Sequence, residues 1–502
     1  MDRLEHPGPA TARPAIVLAT SNGTGMGHLT RQLSVALAVE QDYEPLFFSL
    51  SSAVGVIGHY QFRGEYCPSR ERGWIPQVNW QSYLRERLTA FVRETGAKAV
   101  LFDGVVPYLG LLRARMDLPE VAFVWQRRGF WRPGVRTAPL RSAALFDLVL
   151  EPGDLASAGD TGATADCDDA VALPPISLTE HLEPLPRAEA AAELGLDPAR
   201  PTALITLSSG VLNDVAAPGA AALTALLEDP EWQVAVTRSA LSRGGIPLDG
   251  GGEAARCVEL SGVYPLARYL AAFDCAVAAG GYNSVHELLY AGLPTLFVPN
   301  RSSGTDDQPA RTRWLAEAGF ALFADETDLD AVRAQARRLH DATVRAELAA
   351  ACGKLARPTG SSAAAAELTR SLACEPRSRR ARLFEAETVA RLTAMRALGP
   401  RGTAVIRTAL RRGPDSGPPR PMAVRVTEGP DAAPATAGVT PLMLTDRLEA
   451  DVLRSGTPVE HLIDTAGRAY REQRLRIARR YYDVRGKPIT LRAAAGGNTT
   501  TP

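Results

Sequence analysis

Residues 279–308 read AGGYNSVHELLYAGLPTLFVPNRSSGTDDQ, and the reading of the fold starts there. Just before them, Asp274-Cys275-Ala276-Val277-Ala278 is a short apolar run of strand type, and Val285 to Tyr290 are helix formers. The order is therefore strand, glycine turn, helix. Gly280 and Gly281 can take positive φ without steric cost, and Asn283 or Ser284 can cap the helix that follows. Unpaired amides at such a helix start, aided by the helix dipole, make a site for a phosphate or diphosphate. Glu287 lies about one helical turn beyond the cap, near whatever those amides hold, and a carboxylate there suits a pair of ribose hydroxyls. A second strand, Pro294 to Pro299, leads into the polar loop ending at Asp306-Asp307-Gln308, where Asp307 and Gln308 can grip sugar hydroxyls.

Toward the N-terminus, Ala15 to Thr20 (AIVLAT) is a continuous apolar run, as expected of a parallel strand buried on both faces. The loop Ser21 to His28 (SNGTGMGH) follows, and Leu29 to Val39 has helical spacing. The loop lacks the G-x-G-x-x-G order. The next strand, Pro45 to Leu50, ends in serines where a dinucleotide site needs Asp or Glu, which argues against NAD. Gln77 to Glu94 puts Trp80, Leu84, Leu88 and Phe91 on one helical face, a core pattern. Ala97 to Phe102 reads as a strand, so Asp103 falls at its C-terminal end, the edge where open α/β sheets place ligands.

Val121 to Trp125 is a further strand that runs into Gln126-Arg127-Arg128-Gly129-Phe130-Trp131-Arg132. Aromatics interleaved with arginines suit an acidic or aromatic acceptor, an acidic donor sugar or a bilayer surface; the alternative is a solvated loop with an aromatic tucked into the core. Phe146 to Leu150 brings the set to about six strands, and Pro152 to Ala170 is an acidic, Gly/Ala-rich loop without period. A proline-rich stretch, residues 174–186, reads as a hinge. After it Thr202 to Leu207, Gln233 to Val236 and Cys257 to Leu260 are strands, with Ser208-Ser209-Gly210 as a second phosphate-type loop. Strand-helix alternation on both sides of the hinge predicts an α/β protein with two Rossmann-like domains, residues 14–173 and 187–374, facing across a cleft.

These residues resemble a family. Gly281-Tyr282-Asn283-Ser284, Glu287 and Asp307-Gln308 look like the donor box of inverting nucleotide-sugar glycosyltransferases of the two-Rossmann-domain (GT-B) fold. They are similar both to the plant secondary-product UDP-glycosyltransferases and to the N-acetylglucosaminyltransferases that form lipid II. The resemblance implies that Glu287 binds ribose, that the helix start from Gly280 to Ser284 binds the diphosphate with Ser208, Ser209 and Gly210, and that Asp307 and Gln308 hold the sugar. It also implies that the backbone of Val263 and Tyr264 meets the nucleotide base. Ala279 stands where the plant enzymes carry a diphosphate-binding His, as in the bacterial branch. The first glycine loop matches as well and puts His28 at the mouth of the acceptor site, with Gly25, Gly27, Gln126 and Arg127 beside the acceptor. An imidazole there can act as general base, and Asp103 can orient it; the competing roles are loop packing for His28 and helix capping for Asp103.

The totals narrow the field. The chain has 502 residues, 56 Lys+Arg and 56 Asp+Glu, so net charge gives no argument for nucleic acid, and two or three domains are expected. Six scattered cysteines without CxxC or His at metal spacing suit reduced thiols in a cytoplasmic protein, and no Asp-x-Asp motif is placed for a metal. No cofactor is expected beyond a UDP-type sugar as co-substrate. No signal peptide or 20-residue apolar span is visible, so the protein is expected to be soluble or at most peripheral to a membrane. Beyond the family pattern come a basic helical segment at 375–412, a Pro/Gly/Ala-rich linker at 413–441 expected to be disordered, and a helical tail at 442–502; residues 1–13 are also expected to be disordered. The expected function is sugar transfer to a small soluble acceptor in natural-product biosynthesis. A uronate donor would suit the arginine loop, as in cytosylglucuronic acid synthases. A lipid-linked acceptor, a nucleotide-sugar 2-epimerase and a non-catalytic nucleotide-sugar-binding protein remain as alternatives.

Overall fold

In a computed structural model of the chain the described residues are 13–21, 26–69, 77–207, 214–238, 246, 255–373 and 389. Gly25, Ser208 to Gly210, and nearly all of the basic segment, linker and tail lie outside them.

The first sheet is built from β1 (Ala15–Thr20), β2 (Glu44–Ser49), β3 (Arg63–Tyr66), β4 (Ala99–Asp103), β5 (Ala122–Gln126), β6 (Leu148–Pro152) and β7 (Val171–Leu173). Its helices are α1 (Gly27–Val39), α2 (Gln77–Thr95) and α3 (Leu109–Asp117). All pairs are parallel, in the order β3-β2-β1-β4-β5-β6-β7. Ile16, Val17 and Leu18 are wholly buried, which is why β1 reads as an unbroken apolar run. β3 (RGEY) and β7 (VAL) were not foreseen, because short edge strands carry no legible period. The face of α2 expected in the core is buried at Trp80, Leu84, Leu88 and Phe91.

The second sheet holds β8 (Thr202–Thr206), β9 (Gln233–Arg238), β10 (Cys257–Ser261), β11 (Cys275–Ala278), β12 (Thr295–Phe297) and β13 (Leu322–Phe323), parallel in the order β10-β9-β8-β11-β12-β13. Around it lie α4 (Arg187–Leu194), α5 (Ala216–Leu227), α6 (Tyr282–Tyr290), α7 (Gln308–Glu317), α8 (Leu329–Arg338) and α9 (Ala342–Cys352).

Both sheets reverse direction at an inner strand. The first winds from β1 to β3 on one side and resumes at β4 on the other side of β1; the second does the same about β8, resuming at β11. Such a switch point leaves a crevice at the C-terminal strand ends, because successive crossovers diverge there. Asp103 ends β4, α1 follows β1, and α6 follows β11, so the candidate groups of both domains are delivered to these two crevices.

The last described helix, α10 (Gly360–Leu372), crosses back to the first domain. Ala364 and Leu368 are buried in the first-domain core, and Ser34 Oγ bonds Ser361 Oγ at 3.0 Å. A Cβ at Gly360 would lie 2.3 Å from the Pro174 carbonyl oxygen, so only glycine permits this approach. The span 187–374 expected for the second domain therefore ends in a helix that belongs by packing to the first.

Candidate active site

The helix at the centre of the sequence reading begins earlier than its composition suggests. α6 starts at Tyr282, and Gly281 is its N-cap with φ −67°. Asn283 and Ser284 lie in its first turn and make no side-chain cap, and neither Gly280 nor Gly281 takes positive φ. Gly280 is required instead by proximity: a Cβ would stand 2.6 Å from Thr312 Cγ2. At Gly281 a Cβ would meet nothing within 4 Å, since this residue opens on the cleft. The first amides of α6 have no intrahelical acceptor and line that cleft, the arrangement an anion needs.

The cleft between the domains has a volume of about 520 Å³. His28, Arg31 and Arg128 line it from one side, and Val263, Tyr264, Gly281, Asn283, Ser284, Glu287 and Gln308 from the other. Glu287 sits one turn into α6, where burial pushes its carboxyl from 4.5 up to about 7. The Tyr264 hydroxyl lies 3.2 Å from Thr30 Oγ1 of α1.

His28 and Asp103 meet. Nδ1 of His28 lies 2.7 Å from Asp103 Oδ1, and both side chains are buried. Arg31, one turn further along α1, donates from Nε to Asp103 Oδ2 at 2.9 Å and from Nη2 to Oδ1 at 2.8 Å. Gln126 adds a fourth hydrogen bond, Nε2 to Asp103 Oδ2 at 2.8 Å. Despite the desolvation that opposes ionisation, the neighbouring Arg31 and His28 bring the Asp103 carboxyl from 3.8 down to about 2. Burial pushes His28 below 6.5, with Arg31 and Arg128 acting in the same direction and Asp103 against it. A neutral imidazole whose Nδ1–H is held by Asp103 presents the lone pair of Nε2, the form a general base must have.

Asp307 and Gln308, the pair expected at the sugar end, do not stay together. Asp307 caps α7, accepting from the Ala310 amide at 3.2 Å, and does not line the cleft. Asp306 faces it instead, ion-paired with Arg128 at 2.7 Å and with Arg311 at 2.8 Å. Gln308 lines the cleft, with its Oε1 accepting from the Asn300 amide at 3.1 Å.

The acceptor-side assignments also need correction. Gln126 is buried and spent on Asp103. Arg127 is wholly buried and tied to Glu151 at 2.8 Å and Asp169 at 2.7 Å, so it is a core ion pair and not an acceptor ligand. Of Arg127 and Arg128, it is Arg128 that lines the cleft. Gly27 lines the cleft, and its carbonyl accepts from Asn283 Nδ2 at 3.3 Å. Phe130 and Trp131 are only 3% and 2% exposed, which removes them as a bilayer contact. Phe130, at φ +58°, enters the second-domain core beneath the Arg311 guanidinium, and the backbones of 130–132 and 305–307 pair across the domains.

Three further residues escaped the sequence reading. Arg31 had a signal, since i and i+3 share a helix face with His28. Tyr282 and Arg311 had none. The Tyr282 hydroxyl donates to the Gly153 carbonyl at 2.8 Å and accepts from the Ile176 amide at 3.0 Å; Arg311 bonds Asp154 at 2.7 Å. His286, inside the same motif, is neutral and structural: Nε2 accepts from the Leu155 amide at 3.1 Å, and Nδ1 lies 2.7 Å from the Tyr282 carbonyl oxygen.

Residues 258–355 match the glycosyltransferase family 28 C-terminal domain. The chain is 33% identical over 166 residues to the UDP-N-acetylglucosamine--N-acetylmuramyl-(pentapeptide) pyrophosphoryl-undecaprenol N-acetylglucosamine transferase of Cutibacterium acnes, a match covering 33% of this chain and 44% of that protein. The transferase of the same name from Nocardioides sp. is 35% identical over 153 residues, covering 28% of this chain and 39% of the relative. The matches thus span less than half the length of these relatives. In structure, the glycosyltransferase of kitacinnamycin superimposes with a TM-score of 0.51 at 17% identity, covering 72% of this chain and 99% of that one. Spinosyn forosaminyltransferase SpnP gives 0.50 at 15% identity, covering 73% and 100%. By its two-domain architecture the chain has the GT-B fold, and residues 258–355 of its second domain match the glycosyltransferase family 28 C-terminal domain.

Proposed function

We propose that the protein is a metal-independent, inverting glycosyltransferase of the cytoplasm that moves a sugar from a UDP-type donor to a hydroxyl or amine of a small acceptor. One observation carries the reading: His28, held by the buried Asp103 at 2.7 Å, shares a single cleft with the start of α6 and with Glu287. Nε2 of His28 takes the acceptor proton as the acceptor atom bonds to the anomeric carbon. The bond from that carbon to the diphosphate oxygen breaks on the opposite face, and the electron pair leaves with the nucleoside diphosphate. Such a base contributes about 10²–10⁴-fold in rate. The α6 amides stabilise the charge that develops on the leaving group, a further gain of several kcal/mol. Glu287 receives the ribose hydroxyls, and Gln308 with Asp306 the sugar.

The test is calorimetric titration of UDP, dTDP and GDP into wild type and Glu287→Ala, followed by an acceptor screen with the matching sugar. Selective binding of one nucleotide that the substitution abolishes supports the reading; no binding of any nucleotide overturns it.

A lipid-linked acceptor is the second reading, favoured by the similarity to the N-acetylglucosamine transferases named above. It requires binding to anionic vesicles that weakens with salt, through residues other than the buried Phe130 and Trp131.

A further inference from the structure

Asp103 orients His28 and also favours its protonated form. An ionised carboxylate only accepts, so the 2.7 Å contact requires the proton on His28 Nδ1. Against the burial that lowers its pKa, Asp103 draws His28 toward an imidazolium, which has no lone pair at Nε2. Arg31 opposes this. Its Nε and Nη2 engage both Asp103 oxygens, and its positive charge, with Nη2 2.9 Å from His28 Nδ1, penalises an imidazolium. The charged groups around His28 are Asp103 from β4, Arg31 from its own helix and Arg128 from the loop after β5, with Glu287 of α6 and Asp306 further along the cleft.

The other edge of the same guanidinium faces the second domain. Nη1 lies 3.5 Å from Asn283 Oδ1, and the guanidinium carbon lies 5.1 Å over the Tyr282 ring. Tyr282 and Asn283 are the first two residues of α6. Among the described residues the hydrogen bond found for Nη1 is this long one, and Arg31 lines the cleft.

We propose that Arg31 is a positioning residue that couples the two half-sites: it balances Asp103 so that His28 stays neutral, and it offers its remaining N–H edge to an anionic diphosphate at the start of α6. This rests on the glycosyltransferase reading for the identity of the anion. The charge balance on His28 does not depend on it.

The experiment follows the His28 imidazole by NMR in histidine-labelled enzyme, assigned with His28→Gln, and titrates UDP into each variant by calorimetry. Four proteins form the series: wild type, Arg31→Gln, Asp103→Asn and the double variant, in which both charges are removed together. The His28 pKa is expected to be highest in Arg31→Gln, by about one unit above wild type, and lowest in Asp103→Asn, with the double variant between them. UDP is expected to bind Arg31→Gln about tenfold more weakly than wild type. Arg31→Lys, which keeps the charge but cannot reach Asp103 and α6 together, guards against misfolding of Arg31→Gln. It should hold the His28 pKa near wild type while UDP affinity still falls. A His28 pKa that does not rise in Arg31→Gln, or a double variant no higher than Asp103→Asn, overturns the charge balance. Unchanged UDP affinity in both Arg31 variants overturns the coupling to the donor. Absence of UDP binding in wild type, with the His28 order intact, overturns the glycosyltransferase reading instead.

Discussion

The guanidinium of Arg128 in the first domain stands 2.7 Å from the carboxylate of Asp306 in the second, so the wall of the cleft is a charge pair shared between domains. Asp306 also takes Arg311, which is wholly buried, and these two arginines hold its carboxyl well below the usual range. Breaking a buried pair by removing one partner leaves an uncompensated charge. Asp306→Asn is therefore expected to cost about 3 kcal/mol in urea unfolding. Arg128→Ala leaves Asp306 with Arg311 and, at a partly exposed position, should cost about 1 kcal/mol. Equal losses would contradict this ranking.

His28→Ala is expected to lower kcat by about 10²–10⁴-fold with little change in UDP affinity, measured as initial rates beside calorimetry. The His28–Asp103 pair adds two parts to the pH dependence of stability. His28 is held below 6.5 in the folded chain, so the unfolded chain binds the proton more readily, and stability falls as pH drops below that value. Asp103 is lowered from 3.8 to about 2, so its contribution is present above about 4 and disappears as pH falls through about 2. Chemical denaturation at stepped pH should show both losses in wild type, and in Asp103→Asn a smaller loss below about pH 4, where Asp306 and Asp154 still contribute.

Glu287 has the opposite sign. Its carboxyl rises to about 7, so the folded chain holds a proton between 4.5 and 7 that the unfolded chain releases, and stability falls as pH rises through this window. Glu287→Gln should therefore raise the melting temperature at pH 8 more than at pH 5, while weakening UDP binding about tenfold or more. A variant less stable than wild type at pH 8 would count against a carboxylate kept here for binding.

The two glycines before α6 should separate fold from function. Gly280→Ala drives a methyl to 2.6 Å from Thr312 Cγ2 and is expected to cost about 1–3 kcal/mol. Gly281→Ala meets nothing within 4 Å and keeps an ordinary φ of −67°, so stability should hold while the new methyl projects at the diphosphate position and weakens UDP binding. Thermal melts and calorimetry on both variants test the contrast.

The sequence by itself determined the two wound sheets, because strands buried on both faces must be apolar throughout and their ends are marked by Gly, Ser and Asp. Local period placed Asp103 at a strand end and Glu287 one turn into a helix, and the resemblance of the first glycine loop placed His28 beside the first crevice. Local pattern could not say which of Arg127 and Arg128 reaches the cleft, or which of Asp306 and Asp307 does. Neighbouring side chains point apart, and only the pairing of 130–132 with 305–307 fixes the choice. Nor could it show that Arg31 joins His28 to Asn283 across 252 residues, or that α10 returns to the first domain. Those facts depend on how two separately wound sheets dock, and a docked interface is set by shape and charge complementarity between segments far apart in the chain, which no periodicity within either one records.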